Sequence, residues 1–311
     1  MTSLHLTRRQ FVVTTATLTA GAVLPAQAQE PTLNFVLIGD WGRNGHDDQA
    51  RVAAQMGASA QEMGSHFTVS VGDNFYESGV SSVEDAQWNS SFERIYTAAS
   101  LQSPWKVILG NHDYRGNVQA QLDYSTKSHR WQMPARYFNE VQALPGGGSA
   151  EFFYLDTSPF IKKYLGSSVR IEGQDTAAQL RWLDARLGAS TAEWKIVIGH
   201  HPIYSSVDPN DGADHDQPDL IARLDPVLRK HDVPIYISGH DHCLQAVEVE
   251  GVAYVVTGAG SQTYTPNGTV RGGFAAGAHG FMAVRLSAQN LDYGLVDMHG
   301  KTLFSQRITR A

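Results

Sequence analysis

Apolar residues along this chain gather in short, mostly unbroken runs. Leu33 to Ile38, Phe67 to Val71, Trp105 to Leu109, Trp194 to Ile198 and Pro234 to Ile237 are the clearest. Runs this short read as strands covered on both faces. Between them the apolar spacing turns helical. Val52, Met56, Ala60 and Met63 mark a helix over Gln49 to Met63, and Leu180, Leu183 and Leu187 mark another over Thr176 to Leu187. Weaker patterns predict helices over Phe92 to Ala99, Asn117 to Ser125 and Pro218 to Lys230, the last kinked or restarted at Pro226. Tyr137-Phe138 and Glu151 to Leu155 read as strands across a Gly146-Gly147-Gly148 turn.

After Leu244 the pattern changes to short β runs separated by turn residues: Ala246 to Val249, Ala253 to Thr257, Phe281 to Leu286, Leu291 to Val296 and Thr302 to Ile308. Ser261 to Ala278 is glycine-rich and reads as a surface loop. Alternating strands and helices followed by a β-rich end predict an α/β fold: a two-sheet β-sandwich flanked by helices, with a mainly parallel interior. No repeat or long linker divides it, so residues 29–311 read as one catalytic domain.

The first 28 residues stand apart. Thr7-Arg8-Arg9-Gln10-Phe11-Val12-Val13 is a twin-arginine pattern, followed by a modestly apolar run and the small-x-small sequence Ala26-Gln27-Ala28. A cleaved export leader is expected, with a periplasmic or secreted product and no membrane attachment once the leader is removed. The single cysteine, Cys243, excludes an intramolecular disulfide. The formal net charge is -7, and loss of Arg8 and Arg9 makes the mature chain more acidic still. With no basic run, nucleic acid is excluded as a partner class. An anionic substrate then needs local positive charge, which bound cations can supply.

Candidate chemistry sits where the strands stop. Five runs end in glycine followed by a metal-competent residue: Asp40, Asp73, Asn111, His200, and His240 with His242. Ligands of α/β sheets gather at the carboxyl ends of strands, so these endings converge. Asp73 can bridge two cations, and Tyr76 adds a phenolate suited to a ferric ion. Carboxylate, amide oxygen, imidazole and phenolate together suit a pair of first-row metals.

In order, Gly39-Asp40-Trp41-Gly42, Gly72-Asp73-Asn74-Phe75-Tyr76, Gly110-Asn111-His112-Asp113-Tyr114, Gly199-His200-His201-Pro202 and Gly239-His240-Asp241-His242 resemble the purple acid phosphatases. The small tartrate-resistant kind is the best match, within the calcineurin-like metallophosphoesterases. The resemblance runs from about Phe35 to Arg307 and includes Gly116-Asn117-Val118 and Arg130-Trp131. It implies an acid phosphatase acting on small phosphomonoesters or phosphoproteins and releasing inorganic phosphate. Asp40, Asp73, Tyr76 and His242 would hold Fe(3+). Asp73 would be shared with Asn111, His200 and His240 around a divalent ion, Fe2+, Zn2+ or Mn2+. A hydroxide held by the cations would attack phosphorus.

The resemblance also makes His112 a phosphate contact or proton donor. A second outer histidine of the family is matched only by His215, after a longer acidic stretch from Asp208. His201 is read as packing beside the site or taking part in it. Asp113 and Asp241 are read as orienting groups. Two other readings stay open: a phosphodiesterase or nucleotide-specific relative, and a non-catalytic or redox-active di-iron protein.

Overall fold

The computed structural model describes residues 30–207 and 216–310. The twin-arginine leader and His215 lie outside the described residues. Fourteen strands form two sheets of seven strands each. In the first, β1 (Leu33–Ile38), β2 (Phe67–Ser70), β3 (Trp105–Val107) and β4 (Trp131–Gln132) run parallel. Beyond β1 the sheet continues antiparallel through β12 (Gly280–Leu286), β13 (Asn290–Asp297) and β14 (Thr302–Thr309). In the second, β6 (Ser149–Tyr154), β7 (Trp194–Ile198), β8 (Ile235–Ser238) and β10 (Val252–Thr257) are parallel. Antiparallel strands extend both sides, β5 (Phe138–Ala143) next to β6, and β9 (Leu244–Val249) then β11 (Phe274–Ala276) next to β10.

The parallel strands are apolar throughout because both their faces are covered. On β1, Phe35 and Leu37 join Phe152, Ile196, Ile198, Ile235 and Ile237 between the sheets. The alternate residues, Val36 and Ile38, join the outer cluster with Val52, Met56 and Ala60 of helix α1 (Gln49–Met63). Gly64 closes α1 at φ 63°, where a side chain would be strained, and its N–H caps the Ala60 and Gln61 carbonyls. Helix α2 (Val118–Asp123) is capped by Asn117, and α3 (Thr176–Ala189) by Asp175, each accepting a backbone N–H at the first turn.

Two expectations need adjustment, the helix over Phe92 to Ala99 and the surface loop over Ser261 to Ala278, while the restart expected at Pro226 is found. The helix expected over Phe92 to Ala99 is a widened turn over Trp88–Glu93 and one tight turn over Ala99–Leu101. Trp88, Phe92 and Tyr96 all enter an aromatic cluster with Trp41, Phe75, Trp105 and Trp131, and extended Ala98 breaks the spiral. Pro218 to Lys230 is two helices, α4 (Pro218–Arg223) and α5 (Asp225–Lys230), because Pro226 has no N–H to continue the first. The glycine-rich stretch carries β11, held where Phe274 stacks on Phe304 at 5.1 Å. The two-residue β4 is too short to leave a pattern. No helix among the described residues is long and apolar enough to cross a membrane.

Candidate metal centre

Every residue of the site sits on a turn leaving a parallel strand or its neighbour. β1 delivers Asp40, β2 delivers Asp73 and Tyr76, and the segment after β3 delivers Asn111 and His112. β7 delivers His200 and His201, and β8 delivers His240 and His242. The glycines let these turns close on one another. A Cβ on Gly110 would lie 2.2 Å from Asp73 Oδ1, and one on Gly72, itself at φ 95°, would lie 2.6 Å from His200 Nδ1. Asp40, Asp73 and His240 take positive φ themselves, at 60°, 49° and 69°. Such backbone is sparsely populated and is tolerated where surrounding contacts over-determine it.

Backbone donors aim the carboxylates. His240 N–H donates to Asp40 Oδ2 at 2.9 Å, and His112 N–H donates to Asp73 Oδ1 at 2.7 Å. The other oxygens turn to a shared space. Tyr76 Oη lies 2.9 Å from Asp40 Oδ1, 3.0 Å from Asp73 Oδ2 and 3.0 Å from His242 Nε2. On the far side of Asp73, His200 Nε2 lies 3.4 Å from Oδ2 and 3.3 Å from Asn111 Oδ1. His200 Nδ1 donates to the Val71 carbonyl at 2.9 Å, which leaves Nε2 facing the site. The His240 ring is 5.2 Å from the His200 ring, centre to centre.

This donor set fits cations. One phenolic proton can satisfy only one of the two carboxylate oxygens beside Tyr76 Oη, so oxygen lone pairs crowd a buried space. Asp40, Asp73 and His200 offer ligand atoms within 4.8 Å of one another, as do His200, His201 and His240. The electrostatics say the same. Burial, then Asp40 and Asp73, push the Tyr76 phenol well above its usual value. Burial opposes charge on Asp73, yet His200, His112 and His240 hold its carboxyl far below the usual range. Burial likewise opposes charge on His200, but Asp73 raises it to about 9. Burial and His200 push His240 down. Asp73 is thus held charged against His200 while His240 is kept neutral, and divalent or trivalent ions can take over the positive charge that His200 supplies in this buried place.

His112 lies at the rim. Its Nδ1 is 2.8 Å from the Glu77 carbonyl and its Nε2 is 4.0 Å from Asp73 Oδ2. His201 is buried, with Nδ1 2.9 Å from Thr157 Oγ1 and Nε2 3.0 Å from Tyr164 Oη. Both ring nitrogens are engaged, so it packs beside His240. Asp113 gathers backbone N–H groups of Asn74 and Gly110, and Asp241 accepts from Gln245 Nε2 at 2.7 Å.

Several supporting residues escape the sequence reading. Thr157 Oγ1 accepts the N–H groups of both His200 and His201. Arg43 places its guanidinium 3.8 Å from the Tyr76 ring centre and pairs with Glu77. Ser261 donates its hydroxyl to the Asp40 carbonyl. Asn74 ties Ser70, Ile108 and Gln121 together. Asn74 and Arg43 stand inside or beside quoted motifs, which is a signal. Thr157 and Ser261 have none.

Comparison with known proteins follows this geometry. A family model described as calcineurin-like phosphoesterase matches residues 33–244. Tartrate-resistant acid phosphatase type 5 of Oryctolagus cuniculus is 36% identical over 312 residues, covering 92% of this chain and 93% of its own. Purple acid phosphatase 4 of Arabidopsis thaliana is 36% identical over 293 residues, covering 88% and 82%. Among solved structures, GAP50, titled the anchor in the inner membrane complex of Plasmodium, superposes with a TM-score of 0.77 at 24% identity, covering 90% of each chain. The purple acid phosphatase from yellow lupin seeds superposes at 0.65 with 17% identity, covering 91% of this chain and 54% of that one. The two structural likenesses speak for the fold, and the sequence matches for the family. The chain belongs to the calcineurin-like metallophosphoesterases and, within them, to the purple acid phosphatases, a family of metal-dependent phosphatase enzymes.

Proposed function

We propose that this chain is an acid phosphatase that hydrolyses phosphate monoesters at a centre of two metal ions, one ferric and one divalent. Asp40, Asp73, Tyr76 and His242 would hold the ferric ion, and Asp73, Asn111, His200 and His240 would hold the divalent ion. The observation that carries this reading is the crowding of acceptors around Tyr76 Oη, which two carboxylates and an imidazole approach within 3.0 Å. Bound cations supply charge that neutralises a phosphoryl group and acidifies water.

The chain's own residues prepare that chemistry. The N–H groups of His240 and His112 fix the carboxylate planes of Asp40 and Asp73, so neither rotates when phosphate arrives. The Val71 carbonyl fixes the tautomer of His200. The Glu77 carbonyl and Arg115 Nη1 both face Nδ1 of His112, at 2.8 and 3.1 Å, which leaves Nε2 facing the site to carry a proton when the ring is charged. From there His112 donates it to the departing alkoxide oxygen. His215 is the candidate for a second such role. The leader directs export to the periplasm or beyond.

The test is metal analysis, the visible spectrum and an ester assay on one preparation. Iron with a second metal, a broad tyrosinate-to-iron band that Tyr76→Phe abolishes, and faster hydrolysis of p-nitrophenyl phosphate than of its bis ester are expected. A colourless, iron-replete wild type overturns the role of Tyr76. Preference for the diester overturns the substrate class.

A further inference from the structure

Beside the centre lies a cavity of about 640 Å³ that the chemistry above does not use. Arg115, Arg136 and Arg170 line it, with Ser81, Tyr114 and Asn117. These arginines come from three separate segments of an acidic chain whose net charge is -7. Among the described residues none of the three forms a salt bridge to a carboxylate. Other arginines do pair closely, among them Arg43 with Glu77, Arg130 with Glu93, Arg229 with Asp225, Arg271 with Asp216 and Arg307 with Asp292.

The three do have neutral contacts, and these contacts aim them. Arg170 Nη2 donates to the carbonyls of Arg115 and Gly116 at 2.7 and 2.9 Å. Arg136 Nη1 donates to Tyr114 Oη at 2.9 Å, and that hydroxyl in turn donates to buried Asp156. Arg115 Nε is buried with no hydrogen-bond partner. Guanidinium is always charged and fits the oxygens of a phosphate through paired N–H donors. Asp156 and Glu77 feel Arg136 and Arg115 from a distance, but among the described residues no carboxylate lies in direct contact with the three guanidinium groups, so their N–H donors are open to an anion.

Arg115 joins the lining of this cavity to the rim of the site. Arg115 Nη1 lies 3.1 Å from His112 Nδ1, and the other nitrogen of that ring faces Asp73. A molecule with one phosphate at the centre and a remainder running past His112 meets Arg115 first. The volume is that of a small-molecule pocket rather than a protein interface.

Building on the phosphatase reading above, we infer that this cavity is a second anion subsite, and that the preferred substrates are small phosphomonoesters carrying a second phosphate group. The distal phosphate is held by Arg115, Arg136 and Arg170 and is not the one cleaved.

Calorimetry on the metal-loaded full chain tests this with propylphosphonate, propane-1,3-bisphosphonate and pentane-1,5-bisphosphonate. At least one bisphosphonate is expected to bind about tenfold or more tighter than the monophosphonate. Arg136→Gln with Arg170→Gln should abolish that difference, and Arg136→Lys should keep part of it. Because Arg170 also holds two carbonyls, Arg136→Gln alone serves if the double variant misfolds, with about a threefold or greater loss of preference. Equal affinities in the wild type overturn the inference, as does a preference that survives both substitutions. The kinetic counterpart is the ratio of kcat/KM for fructose 1,6-bisphosphate to that for fructose 6-phosphate, expected to fall in the same variants. If no ester is hydrolysed, the phosphatase reading fails while the calorimetric comparison still decides the subsite.

Discussion

Asp113 touches none of the proposed metal ligands with its side chain, yet it holds the turns that present two of them. Its Oδ2 accepts from Gly110 N–H at 2.8 Å and Asn74 Nδ2 at 3.1 Å, and its Oδ1 accepts from Gln121 Nε2 at 2.8 Å. Asn74 N–H is 3.1 Å from both oxygens. All these groups are donors, so Asp113→Asn puts an NH₂ where only acceptors fit. Flipping the new amide offers no escape. Turned one way it faces Gly110 N–H, and turned the other way it faces Gln121 Nε2. If Gln121 flips to compensate, its own NH₂ meets Asn74 Nδ2, since Gln121 Oε1 now accepts from that group at 3.1 Å. If Asn74 then flips, it abandons the Ile108 carbonyl. The mismatch moves around the network without leaving it.

One buried unpaired donor costs about 1–3 kcal/mol. Weaker neutral hydrogen bonds add to this. Relief of a buried charge subtracts from it, since burial and Asp73 push the Asp113 carboxyl up to about 7. A net loss of about 1–3 kcal/mol lowers Tm by about 2–5 °C for a chain of this size. Freed Gly110 and Asn74 let the flanking Asn111 and Asp73 drift, and loss of such support costs about 10–100-fold in metal affinity. Circular dichroism melting, run with metal titration on the same variant, measures both. Asp113→Asn matching the wild type within 0.5 kcal/mol and retaining full metal affinity refutes this account of the hub.

Three further outcomes follow from the same geometry. His112→Ala keeps the backbone N–H on Asp73 and loses only the ring, so alkyl phosphates should slow by about 10²–10⁴-fold and p-nitrophenyl phosphate far less; equal slowing of both, at unchanged metal content, rejects the proton-donor role. Gly110→Ala drives a Cβ into Asp73 and should cost about 1–3 kcal/mol together with metal occupancy, read by melting and elemental analysis. Asp175→Ala removes the α3 cap far from the centre, so stability should fall by about 1 kcal/mol while kcat/KM is unchanged.

The parallel strands and their endings were legible because burial on both faces leaves continuous apolar runs. The glycine that follows each run is required by a neighbouring turn at van der Waals distance, as Gly110 against Asp73 shows. Weak local patterns misled where tertiary contacts overrode them. The stretch after Trp88 has helical spacing, but its aromatics bend the backbone into a wide turn to reach Trp41 and Trp131. Thr157, Ser261 and the three cavity arginines were illegible for another reason. Their roles depend on which distant segments meet, and nothing near them in the sequence marks a polar residue as facing a carbonyl or an anion. Asp113 was read as an orienting group, but the partners that make it a hub, Gln121 and Asn74, emerge only from the packing.

Fold alone leaves catalysis open for this chain, since the architecture is shared with a Plasmodium protein titled an anchor. What separates a working centre from a retained scaffold is the state of the buried charges. A chain relieved of metal must resolve the crowding around Tyr76 Oη, where two carboxylates compete for one phenolic proton. The economical resolution is substitution: Asp40 or Asp73 to an amide, or Tyr76 to phenylalanine, removes the surplus lone pairs and stabilises the apo fold. None of these replacements is present here. The positive φ at Asp40, Asp73 and His240, the close glycine contacts and the buried carboxylates are all kept together. Each is costly without cations, and bound cations compensate for all of them at once. The same reasoning makes the apo protein the less stable form, by an amount that grows with cation affinity. Chelation should therefore lower the melting temperature markedly in the wild type and much less in Asp73→Asn. A chelator-insensitive wild type would mean that the buried charges are balanced without metal, and the case for a working centre would fail with it.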